Sequence, residues 1–591
     1  MKTISGRAVR AAAAAVLIAG LAGCSHNTEA GIGVLVTNAP ATLTINQAVQ
    51  LTANVVDDPS GAGVDWSCAG GGAFAPAHTA SGAPTVFTAP ATPGLVTVTA
   101  ASAADPYARD SAQISVVPIG SNAMLSGAYV FAVQGADSSG SYAAAGTIVA
   151  DGNGAITGGR QDYSDETLQA GPDAVTGTYA IGPDGRGSIT LAVANTSLPN
   201  NGVETFSVVM TSGAHGLIGQ FDGTATSSGS LDAQAASALD PAAIAGAFAF
   251  TAQGVDLSYG LPLTHGGVVI MSAAAGTIAS GTYFENDGGS TYSSATAGTL
   301  TAPDGFGRGT IDLGVGVAFA YYAVRGQVLR LIEKDFPSAM TGGGMYGQGQ
   351  AGLSQTFSAA SLNGSFVLSH AGGTGHGALA AAGQFTADGA GNFTAGETDL
   401  NNAGVGAFAS ISGQSRYTMA ANGAGWVTLP PIVDQLGDVS LLLILAVDPD
   451  LNLVDPSSPT GGGGALVMDF DAGAVGSGYV VPQTAGTFDG NYALNLQFVG
   501  SSGENDWIGQ AAASAGALAG TVDINASGQT TAGAGFTGAF GADASRPGRW
   551  TGTFTAGGTT HAIAYYQVSD AAFMIVDMDS ADVGIGLVQK Q

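Results

Sequence analysis

Seven histidines and 43 acidic residues are the side chains here from which acid–base or metal chemistry could be built. The histidines, His26, His78, His215, His265, His370, His376 and His561, are scattered, and only His370 and His376 stand close, in the segment "SHAGGTGHG". A zinc site needs three or four protein ligands; no third ligand is near in sequence, so a solvated hairpin loop is the expected setting. "DPDLNLVD", Asp448 to Asp455, spaces oxygens somewhat as calcium loops do, but lacks the central glycine and closing glutamate. Asp and Pro clusters also serve hairpin turns for purely backbone reasons. Asp162, Asp165, Glu285, Asp287, Glu397 and Asp399 recur in pairs at equivalent places. Paired carboxylates are the machinery of glycoside hydrolysis, whereas one acid repeated in several copies of a unit marks a turn or a rim. The G-x-S-x-G, phosphate-loop and H-E-x-x-H motifs are absent. No catalytic, cofactor-binding or metal residue is therefore assigned. The candidate ligand contacts are Tyr163, Tyr283, Tyr292 and Trp507, read as exposed rings near acidic rims, a setting that suits sugar faces.

The chain has two cysteines, Cys24 and Cys68. Lys2, Arg7 and Arg10 form a basic start, Ala11 to Gly20 an apolar run too short to span a bilayer as a helix, and Leu21-Ala22-Gly23-Cys24 follow. This order resembles the signal peptide and lipobox of bacterial lipoproteins. The resemblance implies cleavage before Cys24 and a lipid on its thiol, with Ser25 favouring the outer membrane. Cys68 then has no partner, and no disulfide is expected to staple a small core.

Composition agrees with export. Removing Lys2, Arg7 and Arg10 with residues 1–23 leaves 11 basic against 43 acidic residues, a net charge of −32. Such a polyanion is repelled by nucleic acid and by anionic lipid headgroups, so the expected membrane contact is the lipid on Cys24. The chain is 45% apolar with 94 glycines, which argues against both a disordered polyelectrolyte and a helical fold.

The elements that must position these groups are strands. From residue 33 to 118, "VQLTANV", "VDWS", "FTAP" and "VTVTAAS" alternate with a period of two between Gly, Pro, Asn and Asp. The stretch resembles the bacterial Ig-like domains of surface proteins, which implies a β-sandwich. Beyond it the chain repeats itself. "GAYVFAVQG", "GAFAFTAQG", "GSFVLSHAG" and "GNYALNLQF" begin at Gly127, Gly246, Gly364 and Gly490, spaced 119, 118 and 126 residues apart. Copies close on "GSLDAQ", "GGMYGQGQ", "GSGYVVPQ" and "GIGLVQKQ", where the shared final glutamine reads as a structural cap.

About eight strands per copy, joined by short turns, pair antiparallel with their neighbours. The expected class is all-β: an N-terminal Ig-like sandwich, then four antiparallel repeats forming small eight-stranded up-and-down barrels, with sandwiches as the alternative. The divisions are a signal at 1–23, a tether at 24–32, the sandwich at 33–118, and repeats at 123–236, 241–352, 360–484 and 487–591. The strands are shorter and the aromatics fewer than a membrane barrel requires.

Two function classes follow. The first is a lipid-anchored envelope or surface protein with a binding, adhesion or structural role, whose partners are the membrane through Cys24 and a glycan or envelope protein, with no cofactor and no nucleic acid. The second is an exported carbohydrate-active enzyme using Asp/Glu pairs. Divergent loops such as "DPSSPTGGGG" from Asp455 are the places for specificity.

Overall fold

The computed structural model describes residues 32–349, 356–411, 415–429 and 441–591; the leader, Cys24 and Gln350 lie outside them. At the N-terminal end two sheets share one core. Gly33–Thr37, Ala48–Val56, Pro84–Thr88 and Ala73–Ala75 form the first, in that order, and Thr42–Thr44, Arg109–Val117, Gly94–Ser102, Val64–Ala69 and His78–Thr79 the second. Their alternate residues, Leu51, Trp66, Phe87, Val96, Val98 and Ile114 among them, bury against one another. Cys68 is a free thiol whose Sγ donates to the Gly72 carbonyl at 3.4 Å.

The first, second and fourth repeats are closed eight-stranded barrels in chain order, the last strand pairing antiparallel with the first. They run from Ser126–Asp137 to Ala225–Ala233, from Ala245–Asp256 to Ala339–Gly347, and from Gly490–Gly500 to Asp582–Lys590. The third differs. Its sheet has nine strands, because the strand equivalent to the fourth of the other barrels is divided into Val405–Ser410 and Arg416–Met419, at the two ends of the sheet order. The up-and-down barrel, not the sandwich, is the architecture of the repeats.

Alternation sorts each first strand into two faces. Tyr129, Phe131 and Val133 point into the first barrel, while Val130 joins a core outside it. The barrel interiors are filled by such residues, and each is floored by the residue two before its opening glycine: Leu125, Ile244, Leu362 and Phe488. The cavity inside the third barrel is only about 20 Å³ and wholly apolar in its lining, near the size of a single water site. The barrels are packed cores, not ligand cups.

The outward residues show how the repeats assemble. One apolar core draws on all four barrels, with Val130 and Ala145 from the first, Ala249 and Val268 from the second, Leu443 and Met468 from the third, and Tyr566 and Met574 from the fourth. Each barrel's second strand lies against the seventh or eighth strand of the next barrel, and the second strand of the fourth, Gly503–Ser514, lies against Ala225–Ala233 of the first. The four barrels therefore form a closed ring. Strands at these interfaces are buried on both faces, as along Ala572–Asp577, while strands on the outer rim alternate, as along Ser290–Leu300.

Polar landmarks make the same circuit. Asn286, Asn401 and Asn525 each sit five residues after a third-strand glycine and donate Nδ2 to carbonyls of the next barrel's last turn: Ala474 at 2.9 Å, Asp577 at 2.9 Å and Gln220 at 2.7 Å. The closing glutamines do likewise. Gln234 reaches the Ala323 carbonyl of the second barrel, Gln348 the Ala446 carbonyl of the third, Gln483 the Gln567 carbonyl of the fourth, and Gln591 the Met210 carbonyl of the first. They cap the neighbour and not their own barrel. In the second copy the role falls to Gln348, two residues before the end of "GGMYGQGQ".

Candidate functional site

Three of the four aromatic candidates are not surface groups. Tyr163, Tyr283 and Trp507 are 3%, 1% and 1% exposed inside the first, second and fourth barrels, and only Tyr292, at 54%, is on the surface. The first three occupy inward positions of their strands, where rings fill a barrel, and short bonds hold their polar ends. Tyr163 Oη donates to Asp165 at 2.9 Å, and Trp507 Nε1 to Asn505 at 3.2 Å. Tyr283 Oη bonds Glu285.

The recurring carboxylates are clasps between barrels. Arg308 of the second barrel grips Asp162 of the first through Nε at 2.6 Å and Nη2 at 3.0 Å, with Tyr322 Oη at 2.7 Å and Lys334 Nζ at 3.1 Å. Arg549 and Tyr566 of the fourth barrel grip Asp399 of the third in the same way, at 2.7, 3.0 and 2.7 Å. Burial alone would raise the Asp162 carboxyl, but the guanidinium and ammonium outweigh it and hold it below its ordinary value. At the equivalent position of the fourth barrel, Asp523 accepts Ser207 Oγ of the first at 2.7 Å, and in the second barrel Phe284 instead packs between Trp426 and Phe470 of the third. Among the other acidic candidates, Glu397 lies 3.4 Å from Arg546, Asp165 caps its own turn at Thr167, and Asp287 is raised by burial and by Asp256.

Sequence spacing concealed an arrangement of the histidines. The seventh strands end on Gln220, Glu333, Asp469 and Asp577, all buried. His265, His370 and His561 lie 3.4, 3.0 and 2.8 Å from the last three, reaching them from a second, a first and a sixth strand respectively. In the first barrel Tyr142 Oη donates to Gln220 at 2.7 Å. His370 is thus inside a barrel while His376 sits in an exposed turn, so the two do not converge. Two residues further on, Asp222, Asp335, Asp471 and Asp579 each accept a backbone N–H from the start of their own sixth strand.

A space large enough for a ligand lies on the ring's axis. The outward residues of the four first strands face it in levels. Val130, Ala249, Val367 and Ala493 are the innermost and apolar. Ala132, Thr251, Ser369 and Asn495 come next, then Gln134, Gln253, Ala371 and Gln497. With residues of the eighth strands the last two levels line a cavity of about 350 Å³, within the size range of small-molecule sites. Glycines let the eighth strands close upon the first: a Cβ on Gly229 would lie 1.9 Å from the Ala132 carbonyl oxygen.

One end of the axis is shut by a loop. The sixth and seventh strands are joined by four residues in the first barrel and two in the second, but in the third by the long run between Ala446 and Ala465. Leu453, Val454 and Pro456 of this run line the axial cavity, and Gln589 Nε2 donates to the Val454 carbonyl at 2.7 Å. The calcium-like oxygens are spent on its turns: Asp448 accepts the Asp450 N–H at 2.9 Å, Asn452 the Asp455 N–H at 3.0 Å, and Asp455 the Ser458 N–H at 3.1 Å. At this end the N-terminal sandwich also touches the ring, Gln50 donating to the Pro459 carbonyl at 3.2 Å and Thr44 Oγ1 accepting the Gly213 N–H at 2.9 Å.

A buried charge network underlies the plug. Arg330 Nη2 donates to Asp232 at 2.7 Å and to Ser230 at 2.6 Å, and its Nη1 to Tyr346 at 3.1 Å. Asp232 also bonds His215 Nδ1 at 2.7 Å, and His215 Nε2 faces Gln589 at 2.9 Å. Burial by itself would lower the His215 imidazole, but Asp455 and then Asp232 outweigh it and raise it to about 9. His215, Asp232 and Asp455 lie close enough to hold a metal ion, yet Arg330 already supplies the cation that Asp232 needs.

No family model matches the chain, and no curated protein matches it. Among solved structures it is similar to kievitone hydratase from Nectria haematococca, at 9% identity and a TM-score of 0.17, over 60% of this chain and 92% of that one. It is also similar to transferrin binding protein B from Haemophilus parasuis, at 10% identity and a TM-score of 0.18, over 79% and 96%. A protein of unknown function from Nostoc punctiforme gives 12% and 0.13, over 39% and 95%. At such TM-scores none of these likenesses assigns a function.

Proposed function

We propose that this chain is an exported protein, anchored to the cell envelope by a lipid on Cys24, with a binding or structural role and no catalysis. The observation that carries the reading is the fate of the recurring carboxylates. The acids an enzyme would set across a cleft are instead consumed in holding the ring, Asp162 by Arg308 and Lys334 and Asp399 by Arg549. The landmarks shared by the copies serve assembly, so what repetition has preserved is a rigid body. The lipoprotein-like leader and the sandwich, which resembles bacterial Ig-like domains, supply anchor and spacer. The outer membrane is the expected site, and a glycan or envelope protein the expected partner. Because the sandwich touches the plugged end, that end faces the anchor in this reading and the other faces away. The test is fractionation together with a polysaccharide turnover panel. Wild-type protein is expected in the membrane fraction, Cys24→Ala in the soluble exported fraction, and neither should release reducing sugar. Membrane retention of Cys24→Ala would refute the anchor, and turnover abolished by a single Asp or Glu substitution would establish the enzyme reading instead.

A further inference from the structure

The axial cavity has a mixed lining of apolar and polar side chains from all four repeats, and among the polar ones are hydrogen-bonding groups that the fold leaves unused. Thr251 and Ser369 are 7% and 5% exposed, and neither hydroxyl has a partner among the described residues. A buried hydroxyl or amide without a partner is costly unless water or a ligand completes it. The amide level is half used. Gln134 spends Nε2 on the carbonyls of Gln253 and Gly342, Gln253 spends Oε1 on Ser477, and Gln497 spends Nε2 on Glu504. That leaves two amide oxygens and one amide nitrogen free at this level. The Tyr479 hydroxyl, also in the cavity wall, makes no bond among the described residues. Acceptors and donors are thus both on offer, and none of these groups is charged. Of the basic groups in the lining, Arg330 and His215 share Asp232 at 2.7 Å each, and His370 lies 3.0 Å from Asp469, so each faces a carboxylate of the fold.

We propose that this cavity is a binding site for a small neutral polyhydroxylated molecule, of mono- or disaccharide size. Several hydroxyls, each donor and acceptor, match a wall of amides and hydroxyls, while a net charge on the ligand would enter a low-dielectric space holding no free counter-ion. The plug residues Leu453 and Val454, with Leu217, Leu466 and Leu587 of the same wall, give the ligand's C–H face a floor, and entry is from the amide level at the other end. The assignment rests on the reading of the chain as a binding protein and gives that reading a site within the ring.

Isothermal titration calorimetry of the full mature chain tests it, with neutral monosaccharides, disaccharides and linear polyols as probes and gluconate and glucosamine as charged controls. At least one neutral probe should bind, with charged analogues at least about tenfold weaker. Thr251→Val, nearly isosteric, should weaken binding by about tenfold, about 1.4 kcal/mol, with unchanged melting temperature. Ala371→Trp, which fills the cavity at the amide level, should abolish binding while circular dichroism and hydrodynamic size stay native. Absence of binding by every neutral probe overturns the assignment, as does preference for a charged analogue. Binding that survives both substitutions places the sugar elsewhere and overturns the site while leaving the binding reading standing. Turnover of a bound probe would instead refute the non-catalytic reading.

Discussion

At Asp399 two guanidinium nitrogens and a phenol converge on one buried carboxylate from the neighbouring barrel. Removing one side of such a pair leaves an uncompensated charge in a low-dielectric interface. Arg549→Met should therefore lower unfolding stability by about 3–5 kcal/mol in urea titration, and adding Asp399→Leu should recover most of the loss. The buried titrating groups set a pH profile. Glu204 is raised by burial to about 7, Asp335 mainly by burial to about 6, and His215 by its carboxylates, against burial, to about 9. Each has a folded pKa above its unfolded one, so its stabilisation is complete in acid and is lost as pH rises through these values. Asp162 and Asp232 are lowered and lose theirs as pH falls below the ordinary carboxylate range. Melting temperature should peak near pH 4, where the lowered carboxylates are ionised and the raised acids are still protonated, then decline in two overlapping stages, one between about pH 4 and 7 from Asp335 and Glu204 and one between about pH 6.5 and 9 from His215, and His215→Gln should remove only the second. Residue identity alone could not reveal these roles. Asp162 and Asp399 stood out by recurring, but their partners lie 146 and 150 residues away. The histidine–carboxylate pairs were hidden because the imidazole arrives from a different strand in each barrel.

The strands and their turns were legible because their causes are local. A period of two marks one buried face, Asp-Gly turns set the hairpins, and the opening glycines fix the repeat. Burial of both faces also left a signal, the continuous apolar runs of the ring-facing strands, though such runs do not say what covers the second face. The aromatic candidates were misplaced for a related reason: a ring on an alternating strand looks the same in sequence whether it points in or out. The closing glutamines suggested caps, and only the neighbouring barrel's carbonyls show what they cap. Gln591→Ala should leave the Asp184 and Met210 carbonyls short of a donor now at 2.9 and 3.1 Å and cost about 1–2 kcal/mol by urea titration. Gln234→Ala and Gln483→Ala should cost similar amounts, since each breaks an equivalent joint.

For the whole molecule, the core shared by all four barrels means that none buries its outer face alone. Calorimetry should show the barrels melting in one transition, with the sandwich free to melt separately. Four resolved barrel transitions would mean that the interfaces hold little. A single barrel expressed alone should aggregate or self-associate through the exposed flanks of its second and seventh strands.

Each joint of the ring matches the side of one barrel to the unlike side of the next, and the rotation it imposes returns to its start after four steps. Head-to-tail contacts of this kind form a closed body when the angle divides the circle and an endless one when it does not. Solenoid arrays tolerate gain or loss of a unit because every copy meets only its neighbours in a line. Here a fifth barrel would have nowhere to dock and a third would leave two unlike flanks bare. Recombination between these similar segments should therefore yield non-functional chains, and drift that makes the four copies dissimilar protects the gene from its own repetition.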